Sequence, residues 1–190
     1  MRWLQNGNAR YLNSKLRKDG QGTGDRTRLV SGQTPHTIIL SCSDSRVPPE
    51  IVFDQKLGEI FVVRTAGEAL DNNVVGSIEY AVEHLGSKLL VVMGHSSCGA
   101  VKAALSTMDG TSAGTPALDA LVKDLHPRLA SFKGKKPSAD AQVESLANAR
   151  GVAGDLLKRS KLLKEFADSG KLRIVASLYD LSSGKVKFDQ

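Results

Sequence analysis

At 190 residues, with 41% hydrophobic and 24% charged residues, the chain is long enough to bury a core and has the composition of a soluble globular protein. No apolar run reaches the ~20 residues of a membrane span, and the opening MRWLQNGNARYLNSKL lacks an apolar export core, so one domain over 1–190, cytoplasmic and with no membrane partner, is expected. The net charge of +6 comes from scattered lysines and arginines without a basic stripe of interleaved aromatics, which argues against a nucleic-acid partner.

Trp3, Leu4, Tyr11, Leu12 and Leu16 give a loose apolar face and predict an N-terminal helical arm over 3–18. KDGQGTGDRT reads as an exposed loop. HTIILSC, EIFVVRT and SKLLVVMGH are short, continuously apolar strands, the character of parallel strands covered on both faces. Between the second and third, Val75, Ile78, Ala81, Val82 and Leu85 recur at helical spacing, and Gly86 suits the stop. SCGAVKAALSTM predicts a further helix, GTSAGTP a loop, and the Ala-, Leu- and Lys-rich stretches 116–132 and 138–168 more helix. KLRIVASLYD is a fourth strand; after the SSG turn, KVKFD predicts an antiparallel edge strand. The fold class is α/β: a mostly parallel open sheet, about four parallel strands plus the edge strand, flanked by helices.

Two cysteines are too few for a disulfide scaffold, although one bridge between them stays open. Cys42 ends the first strand in LSCSDSRVPPEI, with Asp44 and Arg46 at the alternate positions after it. His95 ends the third strand and Cys98 opens the next helix in GHSSCGAV. Open parallel sheets bind ligands beyond the carboxyl ends of their strands, where the strand order reverses, so Cys42 and His95 can meet there. A helix N-terminus favours the thiolate at Cys98. Two thiolates and one imidazole suit zinc, and three protein ligands leave a fourth position open, as in a catalytic site. Two other readings remain on residue chemistry alone. GHSSC approaches the nucleophile elbow, but Cys98 stands where the final glycine belongs. Cys42 with Arg46 approaches the thiol-phosphatase pattern, at a shorter spacing and with an acid between.

Taken together, CSDSRVPPE, VVRTAGE, GSIEYAV and GHSSCGAV resemble a beta-class carbonic anhydrase over about Gln33 to Leu105. The resemblance implies Zn2+ held by Cys42, His95 and Cys98, and reversible hydration of carbon dioxide to bicarbonate and a proton. Zinc lowers the pKa of bound water so that hydroxide exists near neutral pH. The value of about 7 belongs to carbonic anhydrases of the three-histidine type; two thiolates cancel the metal's charge, and activity should need a higher pH. The resemblance also implies catalytic roles for Asp44 and Arg46. The arginine forks onto the carboxylate and holds it off the metal, where it accepts a hydrogen bond from the hydroxide. Asp44 would ligate the metal only in a closed state.

By the same resemblance, Gln33, Phe61, Ala66, Tyr80 and the Gly99 N–H bind substrate, an apolar wall with few donors. Each of these positions is equally what plain core or surface would carry. His84, one helical turn after Tyr80, is implied as a proton shuttle, and a homo-oligomer, dimer or tetramer, is expected. A related zinc hydrolase, such as one acting on carbon disulfide, shares these motifs. So does a non-catalytic zinc or bicarbonate-binding module, against which the Asp44–Arg46 pair with Gln33 argues. Two departures stand out. Arg64, Thr65, Ala66, Gly67 and Glu68 occupy positions where the family usually reads R-N-A-G-N, which puts the charge of Glu68 near the expected pocket rim. Ile39 stands where bicarbonate-inhibited members carry tryptophan, although Val47, Arg64 and Tyr179 are compatible with the rest of that site. The open form is therefore expected.

Overall fold

A computed structural model describes residues 1–189. Its sheet is built from β1 (Thr37–Ser41), β2 (Ile60–Arg64), β3 (Leu89–His95), β4 (Arg173–Tyr179) and β5 (Val186–Phe188), in the order β2-β1-β3-β4-β5. The first four are parallel, and β5 pairs antiparallel to β4. β1 and β3 are buried along their whole length, which is why their sequences run apolar without alternation.

Helices cover both faces. On one lie α1 (Arg2–Leu12), α3 (Pro49–Val52), α5 (Gly99–Ser106) and α6 (Pro116–Leu129), whose Leu4, Val52, Val101 and Leu125 pack with Ile39, Val91 and Met93. On the other lie α4 (Asn72–Glu83), α7 (Gln142–Arg159) and α8 (Lys161–Asp168), whose Ile78, Val152 and Leu163 pack with Ile38, Leu40 and Leu90. α4 starts where it does because Asp71 caps it, accepting from the Val74 N–H at 2.8 Å.

Three sequence expectations are corrected. The N-terminal helix stops at Leu12, not at residue 18. The chain beyond it is instead tied down by Arg17, which donates to Glu59 at 2.7 Å. The glycine-rich stretch expected as loop contains the start of α2 (Thr23–Leu29), opened by Asp25, which accepts from the Gly22 N–H at 3.1 Å. The helix expected over 138–168 is two helices. Ser160 has an extended backbone, caps α8 by accepting from the Leu163 N–H at 3.0 Å, and donates to Glu79 on α4. That polar contact turns the chain back onto the sheet.

Strand order places the site. From β1 the chain steps outward to β2, then crosses to β3 on β1's other side. The strand order thus reverses between β1 and β3, and their carboxyl ends carry Cys42 and His95.

Candidate metal centre

Cys42, His95 and Cys98 converge at that reversal, with one donor atom from each lying within 4.8 Å of the others. All three are buried. The two sulfurs are 4.0 Å apart and both thiols are free, so no bridge joins them. His95 Nδ1 lies 2.8 Å from the Ser96 carbonyl. A carbonyl only accepts, so Nδ1 carries the proton and Nε2 keeps a bare lone pair. That Nε2 is buried without a hydrogen-bond partner. An orphaned imidazole nitrogen facing two thiols is the N/S donor set that suits zinc, and the residues fit a metal here. Ser97, with φ of 55°, turns the chain between His95 and Cys98 so that both reach the same point.

The thiols do not share charge equally. Cys42 is pulled toward thiolate by the Cys98 S–H beside it, against its own burial, with help from the Gly67 N–H. The same contact pushes Cys98 up, burial adding to it. Burial and the neighbouring sulfur act on Cys98 against the helix N-terminus, which favours its thiolate.

At the open edge of the cluster, Arg46 forks onto Asp44, with Nε–Oδ1 at 2.9 Å and Nη2–Oδ2 at 2.6 Å. The Arg46 N–H adds a third bond at 3.0 Å. This pairing holds the Asp44 carboxyl far below the usual carboxylate range, Arg46 being the main cause. Asp44 Oδ2 lies 3.9 Å from His95 Nε2. Its side chain is 18% exposed and that of Arg46 54%, so this edge is the cluster's way to solvent. Arg64 holds the turn from behind, donating to the Cys42 carbonyl at 3.0 Å and the Asp44 carbonyl at 2.6 Å.

The other expected site residues divide. Gly99 follows Cys98 as the first residue of α5, and Ala66 opens the tight turn whose Gly67 N–H donates to Cys42 Sγ at 3.4 Å. Phe61 and Tyr80 meet each other, ring centres 6.5 Å apart, on the sheet face that α4 covers. Tyr80 stacks in turn on His84 at 5.3 Å. Gln33 lies in an open groove with Arg26, Val30 and Leu57. Within one chain, then, Gln33, Phe61 and Tyr80 do not gather at the cluster. Val47 and Tyr179 are buried, Tyr179 with its hydroxyl 3.1 Å from that of Tyr11.

Glu68 is the clearest misreading of the sequence. It is not on a rim: it is 1% exposed, its Oε2 accepts from Asn148 at 3.1 Å, and its Oε1 has no partner. Burial pushes its pKa well above the usual carboxylate range, and the negative Cys42 adds to that. A raised acid binds its proton more tightly folded than unfolded. Its stability contribution is therefore full below the unfolded value of ~4.3 and declines as pH rises through the folded one. Glu68→Gln keeps the shape without the titration. Its unfolding free energy should exceed the parent's by a margin that grows with pH, about 1–3 kcal/mol at neutrality. Unfolding scans at several pH values would check this; a margin that stays flat with pH would count against it.

The carbonic anhydrase family model matches residues 37–186. Carbonic anhydrase 2 of Mycobacterium tuberculosis is 40% identical over 186 residues, covering 96% of this chain and 87% of the relative. The beta-carbonic anhydrase CafA of Aspergillus fumigatus superposes with a TM-score of 0.76 at 26% identity, covering 87% of this chain and 80% of that one. A tetrameric beta-carbonic anhydrase of Sordaria macrospora shares the fold, with a TM-score of 0.72 at 24% identity over 86% of this chain and 84% of its own. Family match, relative and fold agree with the cluster at the strand reversal: the chain belongs to the carbonic anhydrase family and is an enzyme of its beta class.

Proposed function

We propose that the protein catalyses the reversible hydration of carbon dioxide to bicarbonate and a proton at a zinc ion held by Cys42, His95 and Cys98. The observation that carries this reading is the Asp44 carboxylate, forked by Arg46 at the open edge of that cluster. Bound zinc supplies a Lewis acid that makes hydroxide available from water near neutral pH. Asp44 is ionised throughout the working range and can only accept, so a hydroxyl hydrogen beside it points at the carboxylate and its lone pair points away, toward substrate. Arg46 keeps the carboxylate in that pose, while Arg64 holds the backbone of the same turn through the Asp44 carbonyl. The Gly99 N–H is free of the ladder in the first turn of α5 and suits an oxygen that gains negative charge. The test is carbon dioxide hydration followed by stopped flow, before and after chelation, beside elemental analysis. Activity should vanish with the metal and return with zinc; full activity in metal-free protein would overturn the reading.

The protein also functions as a homo-oligomer in this reading. Gln33, Phe61 and Tyr80 sit away from the cluster of their own chain, and Gln33 lies beside Val30, an apolar side chain left 86% exposed. A second copy is the means by which they would reach substrate. His84, exposed beside Tyr80, is the proposed proton carrier. His84→Ala should lose several-fold in turnover at low buffer and regain it with added imidazole; loss without rescue would remove the shuttle.

A further inference from the structure

The turn after β2 is gripped from below by a buried polar network that the proposed chemistry does not use. Asn148, fully buried on α7, donates to the Gly67 carbonyl at 2.8 Å and to Glu68 Oε2 at 3.1 Å. Its Oδ1 accepts from Arg128 Nη1 at 3.4 Å. The amide cannot turn over without setting donors against donors, so its orientation is fixed. Arg128 is immobilised in turn by Asp124 at 2.8 Å and Asp155 at 2.9 Å. Asp124 and Arg159 secure the far end of the turn, accepting from the Leu70 N–H and donating to the Leu70 carbonyl, each at 2.8 Å.

On its other side this same turn presents the Gly67 N–H to Cys42 Sγ at 3.4 Å. An amide donor draws charge from a thiolate and so tunes what the sulfur gives a metal. Gly67 itself admits no other residue. Its φ is 63°, and a Cβ would come within 2.8 Å of Leu125 Cδ2 and 2.9 Å of Ala100 Cβ. The donor is therefore backbone only, on the Ala66–Gly67 peptide, and its aim follows the placement of Gly67, whose own carbonyl, one peptide further on, Asn148 holds.

We propose that Asn148 is a positioning residue of the metal centre: anchored by Arg128, it holds the Gly67–Glu68 segment so that the Gly67 N–H stays on Cys42 Sγ. This rests on Cys42 being a metal ligand.

Cobalt(II) in place of zinc gives a thiolate-to-metal charge-transfer band that reports the charge on sulfur. Asn148→Ala should shift that band and speed zinc release to a chelator by about tenfold or more. Leu156→Val, fully buried on the same helix but outside the network, should lose stability while leaving band and release rate at the parent's values. Asn148→Asp, of the same shape, serves if the alanine variant does not fold, because it too removes the donor to the Gly67 carbonyl. Parent-like band and release rate in the folded Asn148 variants would overturn the proposal. Failure of the parent protein itself to bind cobalt or zinc is a different result, and would overturn the metal reading beneath it.

Discussion

Cys98→Ser should leave purification without stoichiometric zinc and with carbon dioxide hydration at least about a thousandfold below the parent. A neutral hydroxyl is a poor zinc ligand beside a thiolate. Cys98 is wholly buried, and the smaller serine leaves its packing with Val101 and Ala104 almost intact, so the fold should persist. Metal content, hydration rate and thermal midpoint measured on one preparation separate loss of metal from loss of fold. A zinc-free Cys98→Ser protein that keeps its turnover would sink the ligand assignment.

Arg46→Ala should give the opposite pattern: metal retained, activity reduced by roughly 10–100-fold. Arg46 touches no donor atom of the cluster, and its side chain is more than half exposed. What it does is occupy both oxygens of Asp44. Without it the carboxylate, still ionised above its ordinary pKa of ~3.9, is free to swing toward the metal and take the position a water needs. Asp44 Oδ2 already lies 3.9 Å from His95 Nε2, so the swing is short. A crystal structure of the variant should show Asp44 on the zinc. Hydroxide competes with the carboxylate for the metal, so the deficit should shrink as pH rises. In the parent, acid alone does not break the Asp44–Arg46 pair until pH falls well below the ordinary carboxylate pKa, because the pairing holds the carboxyl down. Near-parental turnover in Arg46→Ala would mean that the arginine is not the restraint.

The strands were legible because they depend on short-range signals, whereas the three ligands are read together through the family resemblance of their motifs. Continuous apolar runs mark the buried strands β1 and β3, and a thiol or imidazole at the end of such a run falls at the strand reversal. The misreadings share a different cause. α2 begins among glycines that favour a loop, and Asp25 overrides them through one backbone bond. Ser160 looks like any helix residue until its contact with Glu79, distant in sequence, breaks the helix there. Glu68 carries charge in a sequence that says nothing of depth; it is buried because α7 covers the turn and offers Asn148. Asn148 and Arg128 themselves lie in ordinary amphipathic stretches, and only their meeting across two helices gives them a role. The split of Phe61 and Tyr80 from the cluster is also a property of which sheet face each occupies.

The way the ligands are divided along the chain has a consequence for how metal is acquired. His95 and Cys98 sit on one tight turn, itself tied to the far end of the chain by the Ser96 N–H, which donates to the Tyr179 carbonyl at 2.9 Å. Cys42 arrives only when β1 docks against β3, and a parallel pair has no hairpin route to do so. β2 and α4 lie between them in sequence, so the two strands meet only through a long crossover, a non-local closure of the kind that slows folding. Docking of β1 adds the third donor and buries all three at once. A complete donor set is thus a property of sheet topology: a chain with β1 undocked would offer a metal two of the three donors at most.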